Sequence, residues 1–247
     1  MNSRRVSVVQ RGWRPLHCFF LIAIPLIEPA WATASGAPSA DEITAAIAAL
    51  QAPGSATVAS AEVRAELATL VEADPRASTS LVALYLLGRL SQLEHGTDAP
   101  AELVRLSRDH ADHPLGQLAA LKLLLRRLYA TGPEGAEARL EAGEALAETI
   151  TASGLRSDYH LAMGEAYLFH GDRRAAALRH LRAAAELGIP SAATRANVLV
   201  QIGELARLTG ERTVAAASYR AFIAEFPRDL RQQIVRDRLA EVEGAAP

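Results

Sequence analysis

The most site-like group of side chains in this 247-residue sequence is Asp109-His110-Ala111-Asp112-His113. Two histidines three apart share a face when the segment is helical, and with a neighbouring carboxylate they make a zinc-binding set. The chemistry would be metal-assisted hydrolysis. The same residues also make an ordinary polar helix end, because Pro114 follows at once and histidine sits well beside the negative end of a helix dipole. The first histidine has no glutamate beside it and no third ligand is near, so we adopt the helix-end reading and expect no metal. His160, His170 and His180 recur every ten residues, a spacing that does not bring them to one helix face. His170 falls at the turn before Gly171, and the three read as separate surface or groove histidines.

Glu134, Glu137, Glu141, Glu144 and Glu148 follow a three-four spacing, which makes one acidic stripe on a helix. Such a stripe could receive a basic partner. It is also what a solvated face looks like opposite Leu140, Gly143, Ala147 and Ile150, with Arg126 and Arg127 of the preceding helix available to pair with it. There is no phosphate-cradling glycine loop, nucleophile elbow or His-Glu-x-x-His motif. Neither an enzyme nor a cofactor is expected.

The elements that position these groups read as helices throughout. Half the residues are apolar and few are aromatic. Ala, Leu, Glu and Arg dominate, which favours helix over sheet. Apolar stripes predict helices at about 41–50, 60–73, 80–94 and 115–130, the last apolar on nearly all sides and therefore buried. Another opens near Asp98 and Pro100 and stops before Pro114. One more runs from Glu134 to Ile150, and Asp229 is expected to cap a final one ending near Glu243. The polar face of that last helix, Arg231, Gln232, Arg236, Arg238 and Glu241, suits a solvent-facing end. Pro53-Gly54-Ser55, Asp74-Pro75, Gly96, Gly132-Pro133 and Gly154 punctuate the series.

The first 32 residues have the layout of an export signal: Arg4, Arg5, Arg11 and Arg14, then an apolar run from Cys18 to Ile27, then Ala30-Trp31-Ala32. Cleavage is expected after Ala32, with Ala34 as the alternative, and residues 33–40 form a flexible lead-in. Ser3-Arg4-Arg5 resembles a twin-arginine signal, but the apolar core does not follow it closely, so the general secretory route is expected. The run is too short for a bilayer, which takes roughly 20 residues. A periplasmic or secreted protein follows, without a stable membrane span. Cleavage would remove Cys18, the only cysteine, and both tryptophans, Trp13 and Trp31. It would also leave a more acidic chain, with no disulfide possible. Lys122 is the only lysine, and the pI near 6.4 gives no global argument for nucleic acid.

Two stretches carry one helix-hairpin pattern. From Ser157 to Pro190, Met163-Gly164 is followed by Tyr167, Gly171 and Ala175 to Ala177. From about Arg195 to Pro227, Ile202-Gly203 is followed by Gly210, Ala215, Tyr219 and Pro227. At these residues the chain resembles the tetratricopeptide repeat family. The second stretch matches without a gap. The first takes an extra residue in its second helix, where Ala177 and Leu181 serve. Leu84, Leu87, Gly88 and Pro114 mark an earlier copy, with Ser91 where an aromatic is usual, and 115–154 has hairpin length without the signature. The resemblance spans about 80–227, inside a repeat domain of 80–243 that follows N-terminal helices at 41–79.

That resemblance implies an all-α, right-handed solenoid of about 10–11 helices. It also implies packing positions at Gly88, Gly164, Tyr167, Ala177, Gly203, Ala215, Tyr219 and Pro227. The function it implies is non-covalent binding of a protein or peptide on the face of the first helices. Candidates there are Leu161, Glu165, Leu168, Asn197, Val200, Gln201, Glu204 and Arg207, with Leu161, Glu165, Leu168, Val200, Glu204 and Arg207 the chosen groove residues. The family's basic carboxylate-clamping residues are not matched. This apolar-to-acidic mix suits an apolar or basic peptide. A small-molecule sensor and a hydrolase built on His110 and His113 are the alternatives.

Overall fold

A computed structural model describes residues 56–95, 99–130, 134–171 and 173–244. The export signal, the lead-in, the helix expected at 41–50 and the punctuation at 53–55, 96 and 132–133 lie outside the described residues. Within them the chain is all-α, with no strand. Ten helices follow one another: α1 (Ala56–Ala73), α2 (Ser78–His95), α3 (Ala101–Asp109), α4 (Pro114–Tyr129), α5 (Ala136–Ala145), α6 (Ser153–Phe169), α7 (Arg174–Leu187), α8 (Ala192–Thr209), α9 (Arg212–Glu225) and α10 (Gln232–Glu243). No described helix is long and apolar enough to cross a membrane.

Local chemistry sets the boundaries. Pro114 occupies the first turn of α4, where its missing N–H costs nothing, and the His113 ring accepts from Leu115 N at 3.1 Å. Ser191 Oγ caps α8 by accepting from Thr194 N. Gly210 ends α8 at φ +83°, a conformation that favours glycine over any L side chain.

Three expectations are corrected here. The helix predicted from Glu134 to Ile150 is only α5. After Ala145 the backbone tightens into three-residue turns, with Ala147 N bonding Glu144 O and Thr149 N bonding Leu146 O. Gln117, buried on α4, then holds the chain in an extended approach to α6. Its Oε1 accepts from Thr151 N (2.9 Å) and Ala152 N (2.8 Å), and its Nε2 donates to Thr151 Oγ1 (2.8 Å). Asp229 does not cap the last helix: it accepts from Arg231 N two residues on, and α10 starts after Arg231 with no side-chain cap. Gln232 does not face solvent either. It is buried, and its amide donates to the carbonyls of Ile223 and Phe226, closing the end of α9.

Packing follows chain order. Each helix contacts the next, and in addition α2 touches α4 and α4 touches α6. The core has two parts. Val71, Leu81, Leu84, Leu87, Leu103, Leu106 and Leu115 fill the first, between α1 and the start of α4. The second runs from Leu121, Leu124 and Leu128 of α4 through α10. Helix α4 therefore contributes to both, which explains why it is apolar nearly all round.

Three mid-helix glycines sit where neighbouring helices come close. A methyl at Gly203 would lie 2.3 Å from the Tyr219 ring, one at Gly164 would lie 2.8 Å from Leu181, and one at Gly88 would lie 2.5 Å from Leu103. In each hairpin the second helix pushes a large side chain into the gap left by the missing Cβ of the first. Ala177 and Ala215 are fully buried on the facing helices, since a small side chain lets two helix axes approach.

Candidate functional site

Two side-chain groups stand out once the helices are placed. The first centres on Glu144, near the end of α5. Tyr167 donates its hydroxyl to Glu144 Oε1 at 2.5 Å, Arg179 Nη2 donates to the same oxygen at 2.8 Å, and His180 Nε2 lies 3.1 Å from it. His160 Nδ1 and His180 Nδ1 are 3.0 Å apart. A carboxylate accepts only, so His180 carries its proton on Nε2 and accepts at Nδ1 from His160. Arg179 Nη2 also lies 3.2 Å from His180 Nε2. With both nitrogens bearing hydrogens, that contact is not a hydrogen bond.

The electrostatics follow from this wiring. Burial pushes Glu144 up, but the hydrogen bonds from Tyr167 and His180 and the charge of Arg179 outweigh it and hold the carboxyl below its ordinary value. Burial lowers His180 despite Glu144, and it lowers His160 too, with His180 and Arg156 adding to the effect. Both rings favour the neutral form.

The expectation that His160 and His180 are separate is thus corrected. They lie equally far from the turn at His170-Gly171, and residues placed so meet across an antiparallel hairpin. That symmetry was the available signal. His170 is apart from them, its Nε2 against the Leu128 carbonyl. The acidic stripe is also dispersed. Glu134 pairs with Arg127, Glu137 with Arg173, and Glu144 enters the hub.

His110 and His113 do not share a helix face. Helix α3 ends at Asp109, His110 follows it as the cap, and His113 caps α4. The proline forces the chain out of helix between them. No group of three or more metal-ligating residues occurs among the described residues.

The second group lies where α4 and α6 meet. The rings of Tyr129 and Phe169 pack edge to face with centroids 5.1 Å apart, and His170 packs against both. Phe169 is 63% exposed and Tyr129 39%. Glu165 lies one turn before Phe169, half-buried, with no hydrogen bond or ion pair among the described residues. Burial alone pushes its carboxyl up to about 7, and Glu165 in turn adds to the burial that raises Tyr129 to about 12.

The chosen groove residues divide accordingly. Leu161 and Leu168 of α6 and Val200 of α8 are half-buried, each with one side against the core. Glu204 and Arg207 are bound to each other at 2.8 Å, and Tyr219 donates to Glu204 at 2.7 Å. Burial raises Glu204, yet Arg207, Tyr219 and Arg238 bring it below its ordinary value. Glu165 and Glu204 occupy like positions in α6 and α8, and only Glu165 is left unpaired.

Glu165→Gln should therefore stabilise the chain. The raised carboxyl favours its neutral form in the fold, so Glu165 has no cost below about pH 4.5. Stability falls as pH rises through about 7, and the full cost is present above that. Discounted for partial exposure, the gain is about 1–2 kcal/mol at pH 8 and near zero at pH 4. Thermal unfolding of both proteins at the two pH values checks it.

On α7, the depressions lined by Arg173, Arg174, Ala175 and Ala176, and by Leu178, Arg182, Glu186 and Glu211, are open to solvent. Comparison of the chain with protein-family models, with curated proteins and with solved structures gave no match.

Proposed function

We propose that this protein is an exported, tetratricopeptide-like helical scaffold that binds a peptide or protein segment without covalent chemistry. Its hairpins stack as a right-handed solenoid, and the faces of α4, α6 and α8 form the groove. The observation that carries this reading is the surface shared by α4 and α6, where exposed Tyr129 and Phe169 adjoin half-buried Leu161 and Leu168 and an unpaired carboxylate, Glu165. Exposed aromatics beside a desolvated polar group are what binding surfaces present and what an isolated domain avoids.

The contact order supports it. The contacts of α2 with α4 and of α4 with α6, added to the sequential ones, support a shared face for those three helices. Lys122 of α4 lies within electrostatic reach of both Arg89 of α2 and Asp158 of α6, so charged groups continue along that face. Export rests on the leader read in residues 1–32.

Peptides selected from a random display library on the full chain, followed by hydrogen exchange, test this reading. A bound peptide is expected to slow exchange in α4, α6 and α8. Protection confined to α10, or a library that yields no binder, overturns it.

A further inference from the structure

The pairing of charges around Glu165 specifies the partner's chemistry further, on the footing of the groove reading above. We propose that Tyr129, Phe169 and Glu165 form a receptor for one arginine side chain of the docked peptide. The two rings are held edge to face, Phe169 leaves most of its surface open to solvent, and a guanidinium is attracted to an aromatic face when it lies within about 6 Å of the centroid. Glu165, one helical turn from Phe169 and close enough to act electrostatically on Tyr129, supplies the negative charge.

Among the described residues no cation pairs with it. Arg127 is engaged with Glu134, Arg173 with Glu137, and Lys122 lies beside Asp158 farther along the groove. The His170 ring stacks on Tyr129 and directs Nε2 to the Leu128 carbonyl, so it walls the site. A desolvated carboxylate with nothing to neutralise it is costly to keep. An arriving cation removes that cost and gains a charge-assisted bond in the same step. Arginine fits better than lysine, because its planar guanidinium can lie on a ring while its edge donates two hydrogens to one carboxylate.

The same contrast explains why α8 is not the site. There Arg207 and Arg238 already hold Glu204, and Tyr219 donates to it. The α8 arrangement is a filled version of what α6 leaves open.

The test is a random peptide library selected in parallel on the full chain and on its Glu165→Gln variant. On the unaltered protein, arginine should be enriched at one position of the recovered peptides. On Glu165→Gln, peptides should still be recovered, with arginine back at its input frequency. Replacing that arginine by citrulline, which keeps the shape and loses the charge, should weaken binding to the unaltered protein roughly tenfold. The citrulline comparison does not depend on the variant folding. Peptides recovered without arginine enrichment, or bound equally well as citrulline analogues, overturn the arginine receptor while leaving the groove intact. Failure to recover any peptide overturns the groove and the receptor with it.

Discussion

Replacing Gly203 with valine is expected to destabilise the chain by at least about 3 kcal/mol, a fall in Tm of roughly 6–12 °C. Even one methyl there would meet the Tyr219 ring at 2.3 Å, well inside any real contact. The ring cannot swing away cheaply. Tyr219 is fully buried, Ala215 packs beside it on α9, and its hydroxyl is tied to Glu204 at 2.7 Å. Gly154, in the first turn of α6, is the control. A Cβ at that position meets nothing within 4 Å, so Gly154→Ala should stabilise by about 0.5–1 kcal/mol through helix propensity alone. Adding Tyr219→Leu to Gly203→Val should recover part of the loss, since residues in contact couple by about 0.5–3 kcal/mol. Equal effects at Gly203 and Gly154 in chemical denaturation would contradict the close helix approach.

Removing the Glu144 side chain should have the second largest effect. Glu144→Ala leaves Tyr167, His180 and Arg179 without their common acceptor, and His180 is almost wholly buried. Glu144 is itself about a third exposed, so water repairs part of the damage, and the expected cost is about 2–3 kcal/mol. The hub also sets an acid response. His160 and His180 have lowered pKa values in the fold, so their contribution is complete above the unfolded value of 6.5 and is lost as pH falls through the folded values. Tm should decline as pH drops below 6.5, before Glu144 begins to protonate. The double variant His160→Gln, His180→Gln should flatten that slope. An unchanged slope would mean that the pair does not titrate in the fold.

The sequence revealed the hairpins well because their signal is volumetric and local. Gly164 and Gly203 could only be tolerated mid-helix where something large filled the space, and Leu181 and Tyr219 do so. The all-α class followed from composition and period. Apart from the symmetry of His160 and His180 about their turn, the Glu144 hub was illegible because hydrogen bonds across α5, α6 and α7 join residues 16 to 36 positions apart, and no single-helix periodicity encodes them. The shortened α5 escaped notice for a related reason. Gln117, on another helix, diverts the backbone at Thr151, and nothing in the run from Glu134 to Ile150 announces a distant amide acceptor.

The proposed binding face was half legible. Spacing placed Leu161, Glu165 and Leu168 on one side of α6, and exposure of that side agrees with a surface position for Phe169. Tyr129 was not foreseen as part of it, because it reaches Phe169 across the α4 to α6 contact, 40 positions away in the chain. Glu204 and Glu165 looked equivalent in sequence. Only the placement of Arg207, Arg238 and Tyr219 shows one neutralised and the other not.

The central claim is that a bound segment lies along α4 and α6, and site-specific photocrosslinking reads this directly. Benzoylphenylalanine in place of Phe169 keeps the aromatic shape at an exposed position, and the same group in place of Leu230, fully exposed between α9 and α10, serves as the comparison. The account predicts that a selected peptide crosslinks through position 169 and not through position 230. Crosslinking through 230 alone, or equally at both, would contradict it.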